Sequence, residues 1–339
     1  VYISSKQTIV PLLRLVESDG DQTVICLATG LNNLLPKETE KQMKQVLLCE
    51  PNISAGRDVT VVEQVLAQIE GVEGVRILDH ASDPDHNRAV FTYLGEPEPV
   101  LEASQAMAAK AIELIDMTRH HGSHPRMGAV DVVPFIPVRG IATEEAVAIA
   151  RRFGKYVGGL GVPVYYYEEA ATRPDRDKLP KIRKGQYEAL EGKLADPEWA
   201  PDEGPATFNP KAGATVTGVR FPLIAFNVNL RTTDLSVADR IARAVRNING
   251  GYRYVRAIGL ALEEERMVQV SMNLVNYAKT PIPRVLETIR SEAARYGVNV
   301  AGTELIGPVP LGALEEVLKH YLQVHDFSME QIIETALLD

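Results

Sequence analysis

The sequence predicts an α/β protein of the α+β kind, built from two ferredoxin-like βαββαβ subdomains. Three observations predict it. Short apolar, β-branched runs alternate with helical patterns, the order βαββαβ occurs once in each half, and the length supports two cores. At roughly 150 residues per domain, 339 residues correspond to two domains, each able to bury its own apolar interior.

In the first half, Gln45-Val46-Leu47-Leu48-Cys49 is strand-like and stops at Pro51-Asn52. Asp58 then caps a helical pattern with Val61, Val62, Val65, Leu66 and Ile69 on one face, which Gly71 and Gly74 end. Residues 75–78 and 89–93 read as strands joined by a polar loop over 79–88. A helix over 99–119 and a strand over 129–138 complete the unit, and a helix over 143–156 and a strand over 162–167 extend it. The second half gives strand 223–230, helix 236–249, strands 254–262 and 267–275, helix 283–296 and strand 298–305. Residues 311–322 and 328–338 read as terminal helices. No internal repeat accompanies the shared order, so it is a reading of topology, and the cleft between the halves is the default place for a ligand.

These boundaries divide the chain into 1–42, 43–221 and 222–339. Residues 1–42 stand apart. Their apolar patch at 8–16 is interrupted by Pro11 and Arg14 and followed at once by Glu17, Asp19 and Asp21, unlike a signal peptide. With valine first and Met43 opening the strand-like run, they read as an appended or mis-started segment; the other reading is a short element docked on the surface.

Hydrophobic residues at 45% and charged residues at 24% are ordinary for a soluble globular chain. The net charge of −9 argues against general nucleic-acid or anionic-membrane binding, so an anionic ligand must be met by a local basic patch. Cys26 and Cys49 alone make neither a disulfide framework nor a thiolate zinc site, which suits a reducing cytoplasm. No apolar run approaches the roughly 20 residues of a membrane helix.

Three of the seven histidines fall within Arg119-His120-His121-Gly122-Ser123-His124-Pro125-Arg126-Met127-Gly128. As metal ligands they are badly spaced, because Gly122 and Pro125 end the helix before His124. His120 and His121 suit the last turn of a helix, where an imidazole can bond free carbonyls. His124 precedes proline and so lies in an extended loop. There it can take up and return a proton near neutral pH, with Arg126 nearby as a carboxylate fork. A satisfied loop histidine is the plainer reading of composition alone. In the polar loop, Asp79, Asp83 and Asp85 lie near His80 and His86, and a carboxylate there could orient an imidazole or stay solvated.

The stretch 173–184 is a basic island, open to a polyanionic tail or simply a solvated face. Downstream, Gly204-Pro205-Ala206-Thr207-Phe208-Asn209-Pro210-Lys211-Ala212-Gly213 is a turn-rich loop whose glycines permit close backbone approach to a flat ligand; it also reads as a linker. Its spacing matches neither a Walker A loop nor a dinucleotide fingerprint.

From Met43 almost to the C-terminus the chain resembles the folate-dependent formiminotransferase family, the glutamate formimidoyltransferases. The resemblance is carried by Glu50-Pro51-Asn52-Ile53-Ser54-Ala55-Gly56-Arg57, Asp85-His86-Asn87-Arg88, Leu114-Ile115-Asp116-Met117, the block from Gly122 to Asp131, Val162-Pro163-Val164-Tyr165, Gly213-Ala214-Thr215-Val216-Thr217-Gly218 and Ala225-Phe226-Asn227-Val228-Asn229-Leu230. It implies that His124 is catalytic and that the loop from Gly204 to Gly213 binds folate in a cleft between the subdomains. It implies a homodimer, with tetrahydrofolate as co-substrate and no metal. The implied reaction moves the formimino group of N-formimino-L-glutamate to N5 of tetrahydrofolate in histidine degradation, one imidazole serving as base and then acid. Asn52, Ser54, Asn87, Arg88 and Arg126 are the expected substrate-binding residues, and the basic island is the expected dock for a polyglutamylated folate.

The chain departs from animal members at Ala81, where they carry a second acid, at Ser123, where they carry a glutamate, and at Glu168, where a glycine is common. It has no room for the cyclodeaminase to which animal members are fused, so a separate cyclodeaminase is the expected downstream partner. The alternative within transferases is a 5-formyltetrahydrofolate/glutamate formyltransferase on the same site. An RNA-binding pair of ferredoxin-like units lacks an aromatic strand motif, and a metal-dependent hydrolase would have to use His120, His121 and His124.

Overall fold

A computed structural model describes residues 45–337. Residues 1–42 lie outside the described part, and the reading of them as an appended segment goes no further.

The chain runs β1 (Val46–Cys49), β2 (Asn52–Ile53), α1 (Val59–Glu70), β3 (Val75–Asp83), β4 (Arg88–Gly95), α2 (Pro97–Leu114), β5 (Val130–Arg139), α3 (Thr143–Gly159) and β6 (Val164–Glu168). Two short helices, α4 (Leu179–Ile182) and α5 (Leu190–Leu194), precede β7 (Thr215–Val219). Then follow β8 (Ile224–Leu230), α6 (Leu235–Val245), β9 (Val255–Leu262), β10 (Met267–Leu274), α7 (Ile282–Arg295), β11 (Val300–Ile306) and α8 (Leu311–Leu322).

Two sheets result. In the first, β1 and β2 form one strand broken at Pro51, flanked by antiparallel β4 and β5; β3 lies outside β4. In the second the order is β11-β8-β10-β9, antiparallel throughout. Both are the arrangement a βαββαβ chain makes when its two helices cross on one side. The first sheet grows by two parallel strands, β7 beside β5 and β6 beside β7.

Helices α1, α2 and α3 cover one face of the first sheet, burying Val65, Ile69, Met107 and Phe153 against Phe91, Val133 and Phe135. The opposite face of β5, β6 and β7 is covered by the segment holding α4 and α5, through Ile182, Leu190 and Leu194 on Val132, Tyr165 and Val216. In the second unit α6 and α7 pack Ile241, Val245, Val285 and Ile289 on the sheet. Its other face carries Glu304, which accepts hydrogen bonds from the amides of Asn227 (3.3 Å), Asn229 (2.7 Å) and Gln269 (3.1 Å).

Three elements differ from the sequence reading. β3 and β4 extend into the supposed polar loop and meet in a tight turn, the polar side chains of β3 facing solvent. The helix α2 stops at Leu114 because Asp116 caps a 3-10 turn, Met117–Arg119, accepting from the Thr118 N–H at 3.0 Å while Met117 N–H donates to the Lys211 carbonyl. Beyond α8, Ser328 caps a 3-10 turn, Met329–Gln331, in place of a second helix.

Candidate active site

Three loops meet at the end of the first sheet, and Asn87 ties them together. Its Oδ1 accepts the N–H groups of Gly56 (3.0 Å) and Arg57 (3.2 Å), and its Nδ2 donates to the His121 carbonyl (3.0 Å). Its own carbonyl lies 2.9 Å from Nε2 of His120. Asn87 sits at φ +48°, where asparagine is tolerated better than most residues. Gly122 lets the loops close: a Cβ there would lie 2.2 Å from the His86 carbonyl oxygen.

These contacts hold His124 over β5. Its side chain is 14% exposed, and Nε2, buried and without a hydrogen-bond partner, points to Asp131 Oδ2 at 3.6 Å. Nδ1 is left as the open nitrogen. Asp131 is 1% exposed; its Oδ1 accepts the Met127 N–H at 2.9 Å and its Oδ2 pairs with Arg183. The acid reaches this position because β5 bulges. Ile53 pairs with Val130 and Asn52 with Val132, so Asp131 is the extra residue in the ladder and its side chain is re-aimed. Thr215 Oγ1 donates to the Val130 carbonyl at 2.8 Å and helps to hold the bulge.

Two further groups border the pair. The His86 ring stands edge-on to His124 with centroids 6.3 Å apart, its Nδ1 2.6 Å from Asp83 Oδ2. Arg88 makes no hydrogen bond or ion pair with the described residues, and its Nε is buried. Burial holds its pKa below the usual guanidinium value, with the Asp83 charge opposing, Arg183 adding and Asp131 opposing. It remains a cation at any physiological pH. The site thus offers a histidine backed by an acid, with an unpaired arginine among its charges.

The other expected binding residues are engaged within the protein. Arg126, 7% exposed, grips Glu188 with both terminal nitrogens (2.7 and 3.0 Å) and donates from Nε to His120 Nδ1 at 3.3 Å. Its fork is therefore occupied. His120 is a structural histidine, as expected, but it sits beyond the 3-10 turn and bonds Asn87, not a helix end. Ser54 is buried and donates to the Gly128 carbonyl at 2.7 Å, and Asn52 donates to the Glu50 carbonyl at 3.4 Å.

The loop from Gly204 to Gly213 runs from the end of α3 to the residues just after His124. Its glycines serve the protein's own packing: at φ +81° Gly204 lies against Val162 and Gly158, and at φ +68° Gly213 lies against Met127 and Gly128. Asn209 accepts the Ala212 N–H at 3.0 Å, Phe208 stacks at 5.5 Å from Tyr187, and Lys211 Nζ donates to the Glu113 carbonyl at the end of α2. Ala206 and Thr207 face solvent.

The basic island is largely spent on internal pairs: Arg173 with Asp175 and Glu198, Arg176 with Asp202, Lys178 with Glu168, and Arg183 with Asp131. Among the described residues Lys181 and Lys184 are exposed and make no ion pair. Among the described residues no three His, Cys, Asp or Glu side chains gather as a metal site would need, and no helix is long and apolar enough to cross a membrane. Sequence reasoning missed Asp131 and Arg183. A lone acid inside the apolar run of β5 is the signal that would have found Asp131, since such acids are rarely buried without a partner; nothing distinguished Arg183 from its basic neighbours.

Two ferredoxin-like units carry one loop-borne histidine backed by a buried acid and bordered by an unpaired arginine, the frame of a transferase domain. Family profiles sharpen this: one for the formiminotransferase domain, N-terminal subdomain, matches residues 46–220, and one for the formiminotransferase domain matches residues 225–337. The chain belongs to the formiminotransferase family. It is 47% identical to a glutamate formimidoyltransferase of Streptococcus pyogenes over 87% of this chain and 100% of that one. It is 46% identical to a glutamate formimidoyltransferase of Thermoplasma acidophilum over 85% of this chain and 96% of that one. Identity to the formimidoyltransferase-cyclodeaminase of Mus musculus is 45%, over 82% of this chain and 53% of that longer protein.

Proposed function

We propose that this chain is a glutamate formimidoyltransferase, moving the formimino group of N-formimino-L-glutamate to N5 of tetrahydrofolate and releasing L-glutamate. The observation that carries the reading is the open Nδ1 of His124, backed at Nε2 by the buried Asp131; the similarity to enzymes of that name supports it. With its proton on Nε2 facing Asp131, His124 has Nδ1 free to act as a base. The N5 lone pair bonds to the formimino carbon while the C=N pair moves onto the imino nitrogen, and Nδ1 takes the N5 proton. The bond to the glutamate nitrogen then breaks as that nitrogen gains a proton and C=N re-forms. Asp131 stabilises the imidazolium, and Arg183 on the same oxygen holds the acid in place.

Arg88, unpaired, is the clamp for a glutamate carboxylate in this reading. The folate is assigned to the loop from Gly204 to Gly213 and the cleft between subdomains on family grounds. We assign the reaction, by the same family resemblance, to histidine degradation in the cytoplasm, in a homodimer feeding a separate cyclodeaminase. The test mixes the protein with tetrahydrofolate and N-formimino-L-glutamate, following free glutamate and folate absorbance, with N-formyl-L-glutamate in parallel. Formimino transfer is expected. Transfer from the formyl donor alone would make it a 5-formyltetrahydrofolate/glutamate formyltransferase, and transfer from neither would overturn both. His124→Ala should abolish turnover and spare folate binding.

A further inference from the structure

Two imidazoles, those of His124 and His86, lie next to each other at this site. We propose that His86, oriented by Asp83, is the second proton-transfer group of the site: it protonates the departing glutamate nitrogen while His124 takes the proton from N5. This rests on the reaction proposed above.

The geometry of His86 is not that of a histidine filling space. Its side chain is 46% exposed, so the core gains little from it, yet it is held rigidly. Asp83 Oδ1 accepts the backbone N–H groups of Asp85 (2.9 Å) and His86 (2.8 Å), and Oδ2 takes Nδ1 of the ring at 2.6 Å. The carboxylate is fixed by its own turn, and the ring is fixed by the carboxylate. Nε2 is left with no partner among the described residues, open to solvent or to a ligand. With Nδ1–H held by the carboxylate, Nε2 is the one free nitrogen, and it is the imidazolium form of the ring that presents an N–H there and serves as the general acid.

The spacing to His124 is also set by the backbone. Gly122 abuts the His86 carbonyl, Ser123 N–H donates to the Asp85 carbonyl at 3.3 Å, and Asn87 bonds the His121 carbonyl. The two rings therefore stay side by side at 6.3 Å, each with an acid behind it and one nitrogen in front. The two nitrogens that exchange protons in the reaction are bonded to one carbon, and two rings so placed can serve both at once. After transfer His124 holds the N5 proton and His86 has given one up. Proton exchange with solvent, to which His86 is open, returns both rings to their starting states, so no net proton is gained or lost. The charged and titratable groups around His86 are Asp83 and Asp85 on its own turn, Arg88 beside Asp83, Arg57 against the Pro84 carbonyl, and His124 opposite, with Asp131 and Arg183 behind.

The test is kinetics of purified full-length His86→Ala and His86→Gln, with folding checked by circular dichroism. We expect kcat to fall by about a hundredfold or more with KM values for both substrates little changed. The alkaline limb of the kcat profile, which reports the group needed in its protonated form, should vanish, and added imidazole should restore part of the rate to His86→Ala. Asp83→Asn keeps the turn acceptor but removes the charge behind the ring, so kcat should fall in the same direction as in His86→Ala. A kcat within about threefold of the unaltered protein, below the range of general acid catalysis, or an unchanged alkaline limb would overturn the proposal. If the unaltered protein transfers no formimino group, the underlying reaction fails instead, so the two failures are distinguishable.

Discussion

Nε2 of His124 and the carboxylate of Asp131 lie 3.6 Å apart, with the acid almost completely buried and also carrying Arg183. Removing the charge at Asp131 acts on both partners. Asp131→Asn should lower kcat by about 10²–10⁴-fold, since His124 loses the group that stabilises its imidazolium. It should also cost about 3 kcal/mol of stability, because Arg183 is left buried without its counter-charge. Turnover and urea unfolding on one preparation measure both, and an active Asp131→Asn enzyme would remove the acid from the mechanism.

Arg88 and Arg126 separate cleanly. Arg88→Ala should raise the KM for the formimino donor about tenfold or more, the loss of a charged hydrogen bond worth ~1.5 kcal/mol. Arg126→Lys should leave that KM unchanged and lower stability by about 1–3 kcal/mol, because its fork holds Glu188 and His120. A KM effect confined to Arg126 would reverse the assignment.

His120 makes stability depend on pH. Burial lowers its pKa below the ordinary 6.5, the Asn87 carbonyl opposes this, and Arg126 and Arg57 add to it. The unfolded chain therefore binds that proton first, so the contribution is complete above 6.5 and is lost as pH falls through 6.5 toward the folded value. Urea midpoints measured from pH ~7.5 to ~5 should fall, and fall less steeply for His120→Gln, which cannot be protonated. Parallel slopes would show that His120 is not responsible.

Glu168 holds φ +50°, a conformation that costs a residue with a Cβ roughly 1–2 kcal/mol. Its pairing with Lys178, which is half exposed, offsets little of this. After the greater chain entropy of glycine, Glu168→Gly should still gain ~0.5 kcal/mol in equilibrium unfolding. A loss would show that the strain is relieved some other way.

Much of the fold was readable from local pattern. Asp58 caps α1 where the sequence places it, and α8 has its expected ends. The errors fall where distant residues decide: α2 ends early because Asp116 competes with its last turn and Lys211 receives Met117, a contact no window of sequence contains. His124 stood out because proline follows it. Whether an arginine is a clamp or a girder depends on what lies within reach of it in space, so Arg126 looked available in sequence and is occupied in the structure. The pairing of the basic island was hidden for the same reason, its counter-charges at Asp131, Glu198 and Asp202 lying far along the chain.

The bulge in β5 has an evolutionary corollary. Deleting Asp131 would restore an even ladder with β2, Val130 and Val132 following one another opposite Ile53 and Asn52, and would remove the acid. Regular pairing and an acid behind His124 are alternatives at this point, so the irregularity should persist through lineages in which much of the surrounding surface drifts.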